Sequence, residues 1–462
     1  MKYVVVDIGS THVKAAVLDP EKNMVCDTLT KNSPSRNPNL PHFMFEVPAE
    51  QYLDLILDVM ELFTKTYPDV EGLLLSTQMH GFVLEAPGHE ATYISWQDTR
   101  CLEKDASGKT YLESLRALIP AEQMSRFGVM LKPSLGLCNL YAKLSQEGSQ
   151  VSEKTLYTLG SFIIHRMTGN NICHLSNAAP LGFADVEKRE WDVQLLDALG
   201  IKNLSLPQIA DEDFRPCGEF EMGTRQIRVF PDYGDQQVSI LGCFAGAQDA
   251  VINIATASQV SVFSNRFEKT NYECRPYFEG AFIQTISNMP AGRHIEVLMR
   301  FFADVYTAMT GNAPEPSVLW KLTETAESDT EGISVESTFF PTEHTAAGGA
   351  VTGIRDQNLR VKTLLSALYT DMAEKYWKNI QHLKTPEQIG ALICAGGVSW
   401  HQPSLVKRIR LLTGKPVSLS AYPDEALAGL MRIAKCCSGN AERLADTDNL
   451  KGAIVWQQKK GV

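Results

Sequence analysis

VVVDIGSTHVKAAVLD (residues 4–19) is an apolar run ending in Asp7, a tight Gly9-Ser10-Thr11 corner, and a second alternating run. The pattern predicts a β-hairpin. A hairpin corner asks only for Gly or Asn, yet this one carries two hydroxyls and follows an acid. A carboxylate at the end of a buried strand costs desolvation unless a cation offsets it. Consecutive N–H groups at such a corner form a concavity that binds anions, and Gly9 lets the backbone approach closely. Mg²⁺ commonly sits among one or two carboxylates, waters and nucleotide phosphates. Asp7 therefore reads as a magnesium ligand, with Gly9, Ser10 and Thr11 cradling phosphate. The alternative is an edge hairpin with a solvated acid. No G-x-x-x-x-G-K-[ST] occurs, so the chain is not a P-loop protein, and no dinucleotide-type G-x-G-x-x-G follows a strand.

The same design returns at VINIATASQVSVFSN (251–265): apolar strand, small polar corner, second alternating strand. Laid on the first hairpin, Asp7 falls on Asn253, Gly9 on Ala255 and Ser10 on Thr256. The long period excludes a solenoid and suggests two similar domains. Their boundary is expected between 225 and 245, where PDYGDQQ (231–237) punctuates the chain, giving domains 1–235 and 236–462. Between the hairpins, YLDLILDVMELF (52–63) has a helical stripe and EGLLLS (71–76) reads as a strand. Leu364, Leu368, Met372, Tyr376, Ile380 and Leu383 lie on one helix face. ALICAGGVS (391–399) is a strand running into a glycine turn, and the next helix opens near Pro403 and ends at Gly414. Mixed strand and helix order predicts an α/β protein.

The bulk properties narrow the class. The 462 residues are 44% hydrophobic and 21% charged, with a net charge of −11. That balance, without a block of like charges, argues against nucleic acid or an anionic membrane as partner. The N-terminus has no secretory h-region, and no stretch approaches the length of a membrane span, so a cytoplasmic location is expected. The ten cysteines are scattered without any C-x-x-C and read as reduced thiols. Adjacent Cys436 and Cys437 read as helix residues, and the helix over 424–437 is a candidate for pairing subunits in a homodimer.

Three further stretches carry chemistry-bearing residues. Asp235 follows a turn and opens a helical pattern, which suits either a helix cap or a carboxylate that accepts a proton from an alcohol. In YISWQDTR (93–100), Trp96, Asp98 and Arg100 alternate, so an extended strand would place them on one face. An aromatic plate beside charged groups suits a polyol, while a plain surface ion pair is the alternative for Asp98 and Arg100. In LLLSTQMHGFVL (73–84), Gln78 and His80 leave a strand end together and offer donors, unless His80 is structural.

Taken together, DIGSTHVKAAVLD, STQMHG, SWQDTR, GDQQVSILG, NIATASQ, AGGVSWHQPSLVKRI and YPDEALAGL resemble the FGGY carbohydrate kinase family, in order, over roughly residues 3–435. The resemblance implies an α/β fold of two actin-like (ribonuclease H-like) domains flanking a deep catalytic cleft. It implies ATP bound mainly to the second domain and a small-molecule sugar bound mainly to the first. It further implies that Asp7 assists Mg²⁺, that Gly9, Ser10, Thr11 and Thr256 meet phosphate, and that Gly396 and Gly397 approach adenosine. Gln78, Met79, His80, Trp96, Asp98 and Asp235 would line the sugar pocket, with Asp235 as general base and Arg100 lining it or bracing Asp98. The expected reaction is phosphorylation of the terminal hydroxyl of a ketose, sedoheptulose first and xylulose as the near alternative. An actin-like ATPase or a sugar-binding regulator would share parts of the pattern. The second corner departs from the family, with Ala255-Thr256-Ala257 where many relatives have Gly-Thr-Ser.

Overall fold

Strands β1 (Lys2–Ile8) and β2 (His12–Asp19) pair antiparallel with Ile8 opposite Val13, so the corner is the expected one. The computed structural model describes residues 1–148, 153–326, 329–340 and 348–457. Strand β3 (Met24–Asn32) continues the sheet beyond β2, and Val455–Trp456 pairs parallel to its first residues. On the other side β1 lies parallel to β4 (Val70–Thr77). Strands β5 (Gly218–Met222) and β6 (Arg225–Gly234) form a hairpin, and β6 lies parallel to β4. The sheet order is therefore β5-β6-β4-β1-β2-β3 with Val455–Trp456 at the edge. Alternate residues Val4, Val6 and Ile8 join one core with Val13, Ala15, Val17, Leu73 and Leu75. The intervening Tyr3, Val5, Ala16, Leu18 and Leu74 are also buried. A sheet covered on both faces needs continuous rather than alternating hydrophobicity, which is what residues 3–6 and 73–75 supply.

Helix α1 (Glu50–Thr66) buries Tyr52, Ile56, Val59, Met60 and Phe63 against this sheet, the stripe expected from the sequence. Each such side chain contributes roughly 1.5–3 kcal/mol of transfer free energy. Helix α2 (Leu159–Thr168) is opened by a capping box in which Thr158 and Ser161 each accept the other's N–H. Pro231 lies inside β6 rather than at a turn. The ladder slips between Val229 and Asp232, so the N–H that proline lacks falls where the pairing is already interrupted. Helix α3 (Asp235–Gly242) follows β6 directly.

The chain divides into two compact units. The first holds Met1–Gly242, Asn265–Phe282 and Ala426–Val462; the second holds Cys243–Ser264 and Ile283–Glu425. Both are thus discontinuous, unlike the continuous halves 1–235 and 236–462 expected from the sequence.

In the second unit β7 (Ala250–Ile254) and β8 (Ser258–Ser264) pair antiparallel, with Ile254 opposite Ser258. Strand β9 (Phe282–Met289), in which the chain enters this unit, continues the sheet beside β8. It leads into α4 (Gly292–Thr310) and the short α5 (Pro316–Lys321). Helix α6 (Val361–Leu383) buries all six residues of its predicted face. Strand β10 (Leu392–Ala395) lies parallel to β7, just as β4 lies parallel to β1. The hairpin echo in the sequence is therefore an echo in topology. Two helices follow, α7 (Gly397–His401) and α8 (Pro403–Thr413), the latter capped by Gly414 as expected. Strand β11 (Val417–Leu419) completes the sheet.

Helix α9 (Glu425–Cys437) corrects one expectation. Leu427, Ala428, Leu430, Met431, Ile433 and Ala434 are all buried within the chain, so the helix offers no apolar face for pairing subunits. It packs on α3: a Cβ at Gly429 would fall 2.0 Å from the Val238 carbonyl oxygen, and Arg432 donates to the Leu241 carbonyl at 3.0 Å. All ten cysteines are free thiols, nine of them buried. Among the described residues no helix is long and apolar enough to cross a membrane.

Candidate functional site

Strand register builds the first cluster. Asp7 is level with Ser76 on β4, and Ser76 is level with Tyr233 on β6. The next residues along, Ile8, Thr77 and Gly234, are level too, and Asp235 follows Gly234. Three parallel strands thus end together, the place where open α/β sheets present ligand-binding groups. The Ser76 hydroxyl donates to Asp7 Oδ1 at 2.7 Å. Asp235 is partly buried, and its Oδ1 accepts the Gln236 N–H at 2.8 Å. Burial first, and the Asp7 carboxylate second, push the Asp235 carboxyl up to about 7. Two carboxylates that feel each other's charge at a strand end fit a divalent cation. Among the described residues no set of three or more acidic, His or Cys side chains is gathered for a metal, so further ligands would come from phosphate and water.

The corner itself is held by the backbone. The Gly9 N–H donates to the His12 carbonyl at 3.0 Å, and Ser33 donates its N–H to Thr11 and its hydroxyl to the Gly9 carbonyl. Ser10 and Thr11 form the bend between the two strands. Ser33, on the far side of β3, carried no signal in the sequence.

The end of β6 is fixed by a buried acid that the sequence reading missed. Asp232 is fully buried and accepts from the Thr158 hydroxyl at 2.6 Å, the His174 N–H at 2.8 Å and the Asn177 amide at 3.0 Å. Burial pushes its carboxyl up to about 6 against these donors. Asn177 also donates to the Thr77 hydroxyl at 2.9 Å, and the Ser176 hydroxyl accepts the Gly234 N–H at 2.8 Å. One short segment, His174–Asn177, therefore clamps β4 and β6 just before Asp235.

Gln78 and Met79 are buried beside this point. The Gln78 Oε1 has no hydrogen-bond partner, which is uncommon for a buried acceptor and suits a ligand hydroxyl. His80 has a positive φ of 68°, a conformation that costs a side-chain-bearing residue of order 1–3 kcal/mol. Its Nδ1 is 3.1 Å from the Pro180 carbonyl and its Nε2 3.3 Å from Arg275 Nη2. Both ring nitrogens are thus engaged within the protein rather than offered as donors.

Trp96, Asp98 and Arg100 do not share a strand face. The strand ends at Ile94, Trp96 lies in a turn, and Arg100 opens a one-turn helix. Nor are Asp98 and Arg100 a surface pair, being 0% and 1% exposed. The Asp98 carboxylate accepts from Phe45 N–H, Arg100 N–H, Arg100 Nε and Arg100 Nη2 at 2.6–3.0 Å. Its oxygens accept from the protein's own donors, so the carboxylate braces this turn. Arg100 reaches on to Glu46 at 2.7 Å. This lattice holds the turn on which Trp96 stands 37% exposed.

The second unit gathers its own cluster. A cavity of about 660 Å³ is lined by Thr256, Gly292, Trp320, Glu324, Gly397 and His401 among others. Gly396 has φ 83°, and a Cβ there would meet Asn253 Oδ1 at 2.4 Å and the Ile254 carbonyl at 2.6 Å. Only glycine lets the β10 turn lie this close to β7. Gly397 faces open space. Of the expected nucleotide residues in this half, Thr256 and Gly397 line the cavity, while Gly396 packs the strands behind it. Trp320, on α5, was not singled out from the sequence because a lone tryptophan has no spacing to mark it.

The chain is similar to known proteins in sequence and in fold. Human sedoheptulokinase is 22% identical over 348 residues, which are 65% of this chain and 70% of that protein. A glycerol kinase from Thermococcus onnurineus is 30% identical over 98 residues, 21% of this chain and 20% of that enzyme. The chain spans only 20–55% of the length of the Thermococcus glycerol kinases it matches. The crystal structure of a xylulose kinase from Rhodospirillum rubrum superposes with a TM-score of 0.83 at 16% identity, covering 98% of this chain and 92% of that one. That likeness establishes the α/β fold with its two actin-like units. The model of the N-terminal domain of the FGGY carbohydrate kinases matches residues 2–250, from the Asp7 hairpin through the Gln78–His80 turn to Asp235 and beyond. The chain belongs to the FGGY family of carbohydrate kinases.

Proposed function

We propose that the protein transfers the γ-phosphoryl group of ATP to a hydroxyl of a small sugar, with Asp235 as general base. The observation that carries this reading is the Asp235 carboxyl raised to about 7, at the end of three parallel strands and beside Asp7. A base works best when its proton affinity matches the operating pH. Asp235 would orient the acceptor hydroxyl and take its proton late, since a loose phosphoryl transition state needs little deprotonation early. Gln78, Met79, His80 and Trp96 would surround the sugar, and Asp98 with Arg100 would hold the Trp96 turn. Gly9, Ser10 and Thr11 would meet phosphate from the first hairpin. Within the second unit Thr256 would meet nucleotide phosphate, with Gly396 and Gly397 near adenosine. Asp7 would hold Mg²⁺, which when bound neutralises charge on the transferring phosphate. In-line transfer then depends chiefly on positioning.

Sedoheptulose is the proposed acceptor, supported by the human sedoheptulokinase similarity over 65% of the chain. Xylulose is the second candidate. ADP release measured against sedoheptulose, xylulose, ribulose, fructose, glycerol and gluconate tests the reading. A ketose should give the highest kcat/KM, and no turnover with any of them would refute the kinase assignment. Asp235→Asn should lower kcat ~10²-fold or more while calorimetry still shows sugar and nucleotide binding. Near-normal turnover in that variant would remove Asp235 as base.

A further inference from the structure

Arg275 stands in the first unit on strand Glu273–Pro276 and is 4% exposed. Its guanidinium makes a fork. Nε donates to Glu273 Oε2 at 2.8 Å and Nη2 donates to the same oxygen. Nη1 donates to Gln236 Oε1 of the side-chain carboxamide, and Nη2 lies 3.3 Å from His80 Nε2. On its other side the Glu273 carboxylate pairs with Lys132.

The tautomer of His80 follows from its partners. The Pro180 carbonyl can only accept, so Nδ1 carries the ring proton. Nε2 is then an acceptor, which suits the Arg275 N–H. Burial first, then the charges of Lys132 and Arg275, hold the imidazole neutral, well below its ordinary titration range. The other arm of the fork grips Gln236, whose backbone N–H is bound by Asp235 at 2.8 Å. Burying two cations around one acid adds little net stability, because desolvation consumes most of the Coulomb gain. What such a cluster supplies is fixed orientation of the groups it touches. The two groups touched here are neighbours of the proposed base and of the Gln78-Met79-His80 turn.

We propose that Arg275 is a positioning residue of the acceptor site, locking the His80 ring and the Gln236 carboxamide so that a polyol hydroxyl is received at Asp235. The proposal rests on the sugar-kinase reading above and adds to it a residue from outside the recognised motifs. Arg275 acts through His80 and Gln236, so its loss shows in acceptor binding rather than in nucleotide binding.

The decisive variant is Arg275→Lys. It keeps the buried charge beside Glu273 but cannot reach both His80 and Gln236 at once. Arg275→Met removes the fork entirely and serves as the second variant if it folds, as judged by an unchanged circular dichroism spectrum. Acceptor and nucleotide KM, kcat, and calorimetric acceptor affinity are measured on the full chain, with ¹⁵N spectra of His80. Arg275→Lys should raise the acceptor KM and Kd ~10-fold or more, with nucleotide KM unchanged and kcat within about threefold. The His80 Nδ1–H tautomer, held by Pro180, should persist, while the Nε2 resonance moves as its Arg275 donor is lost. Unchanged acceptor affinity in folded Arg275→Lys, or an equal loss for acceptor and nucleotide, overturns the proposal. Failure of the parent reading looks different: the unsubstituted protein then phosphorylates no polyol, whereas the His80 spectra still report on the Arg275 contact.

Discussion

At the scale of single residues, the carboxylate pair Asp7 and Asp235 is the most telling feature. Both were singled out in the sequence, Asp7 because it ends an apolar strand and Asp235 because it follows a turn and opens a helical pattern. Their coupling was not visible, since it depends on β4 lying between β1 and β6. In metal-free protein the Asp235 carboxyl should titrate near 7. Asp7→Asn should lower that titration point, because it removes a neighbouring negative charge that favours the protonated form. Carbon-13 shifts of the aspartate carboxyls across a pH series measure this, and an unmoved Asp235 curve would show that the two acids do not interact. His80 and Asp98 were also chosen from the sequence, but their side chains spend their hydrogen-bonding capacity inside the protein. A one-letter motif names such a residue without saying which way its donors are used.

At the scale of elements, the legible parts were those with a clear period. Helices α1, α6 and α8 and both hairpins follow apolar spacing that one face of packing enforces. The illegible part was β6, whose PDYG tail has turn composition yet is held extended by Asp232 and the His174–Asn177 segment, residues distant in sequence. Asp232 holds its proton more tightly when folded (about 6) than the ordinary carboxylate value of 3.8. The folded state therefore binds more protons between about pH 4 and 6, and stability falls as pH rises through that window. A two-unit shift corresponds to about 3 kcal/mol. Asp232→Asn should lose this dependence, so urea midpoints of the two proteins should converge or cross between pH 4.5 and 7; parallel curves would exclude the assignment. The α3–α9 contact makes a second expectation. Gly429→Ala places a methyl group 2.0 Å from the Val238 carbonyl, and relief of such overpacking should cost ~1–3 kcal/mol in chemical unfolding. A variant as stable as the parent would mean that α9 shifts freely on α3.

At the scale of the whole molecule, the two units carry separate chemistries in this proposal, and that separation can be measured. Thr256→Val removes a hydroxyl at the second hairpin corner, in the unit assigned to the nucleotide. Loss of one charge-assisted hydrogen bond, about 1.5–3 kcal/mol, should raise nucleotide KM ~10–100-fold and leave calorimetric sugar affinity unchanged. A matched fall in sugar affinity would mean that the ligands are not held by separate groups. Two repeated hairpins told of two units, but not that each is assembled from separated stretches of chain; that depends on contacts made by 265–282 and 426–462, which have no period of their own. The last of these stretches has a consequence for biogenesis. Because Val455 and Trp456 zip onto Met24 and Val25, the rim of the first sheet leaves the ribosome open and stays bare until residue 456 has emerged. Nascent chains halted before residue 455 should therefore self-associate or be held by chaperones, whereas chains that include 455 and 456 should not.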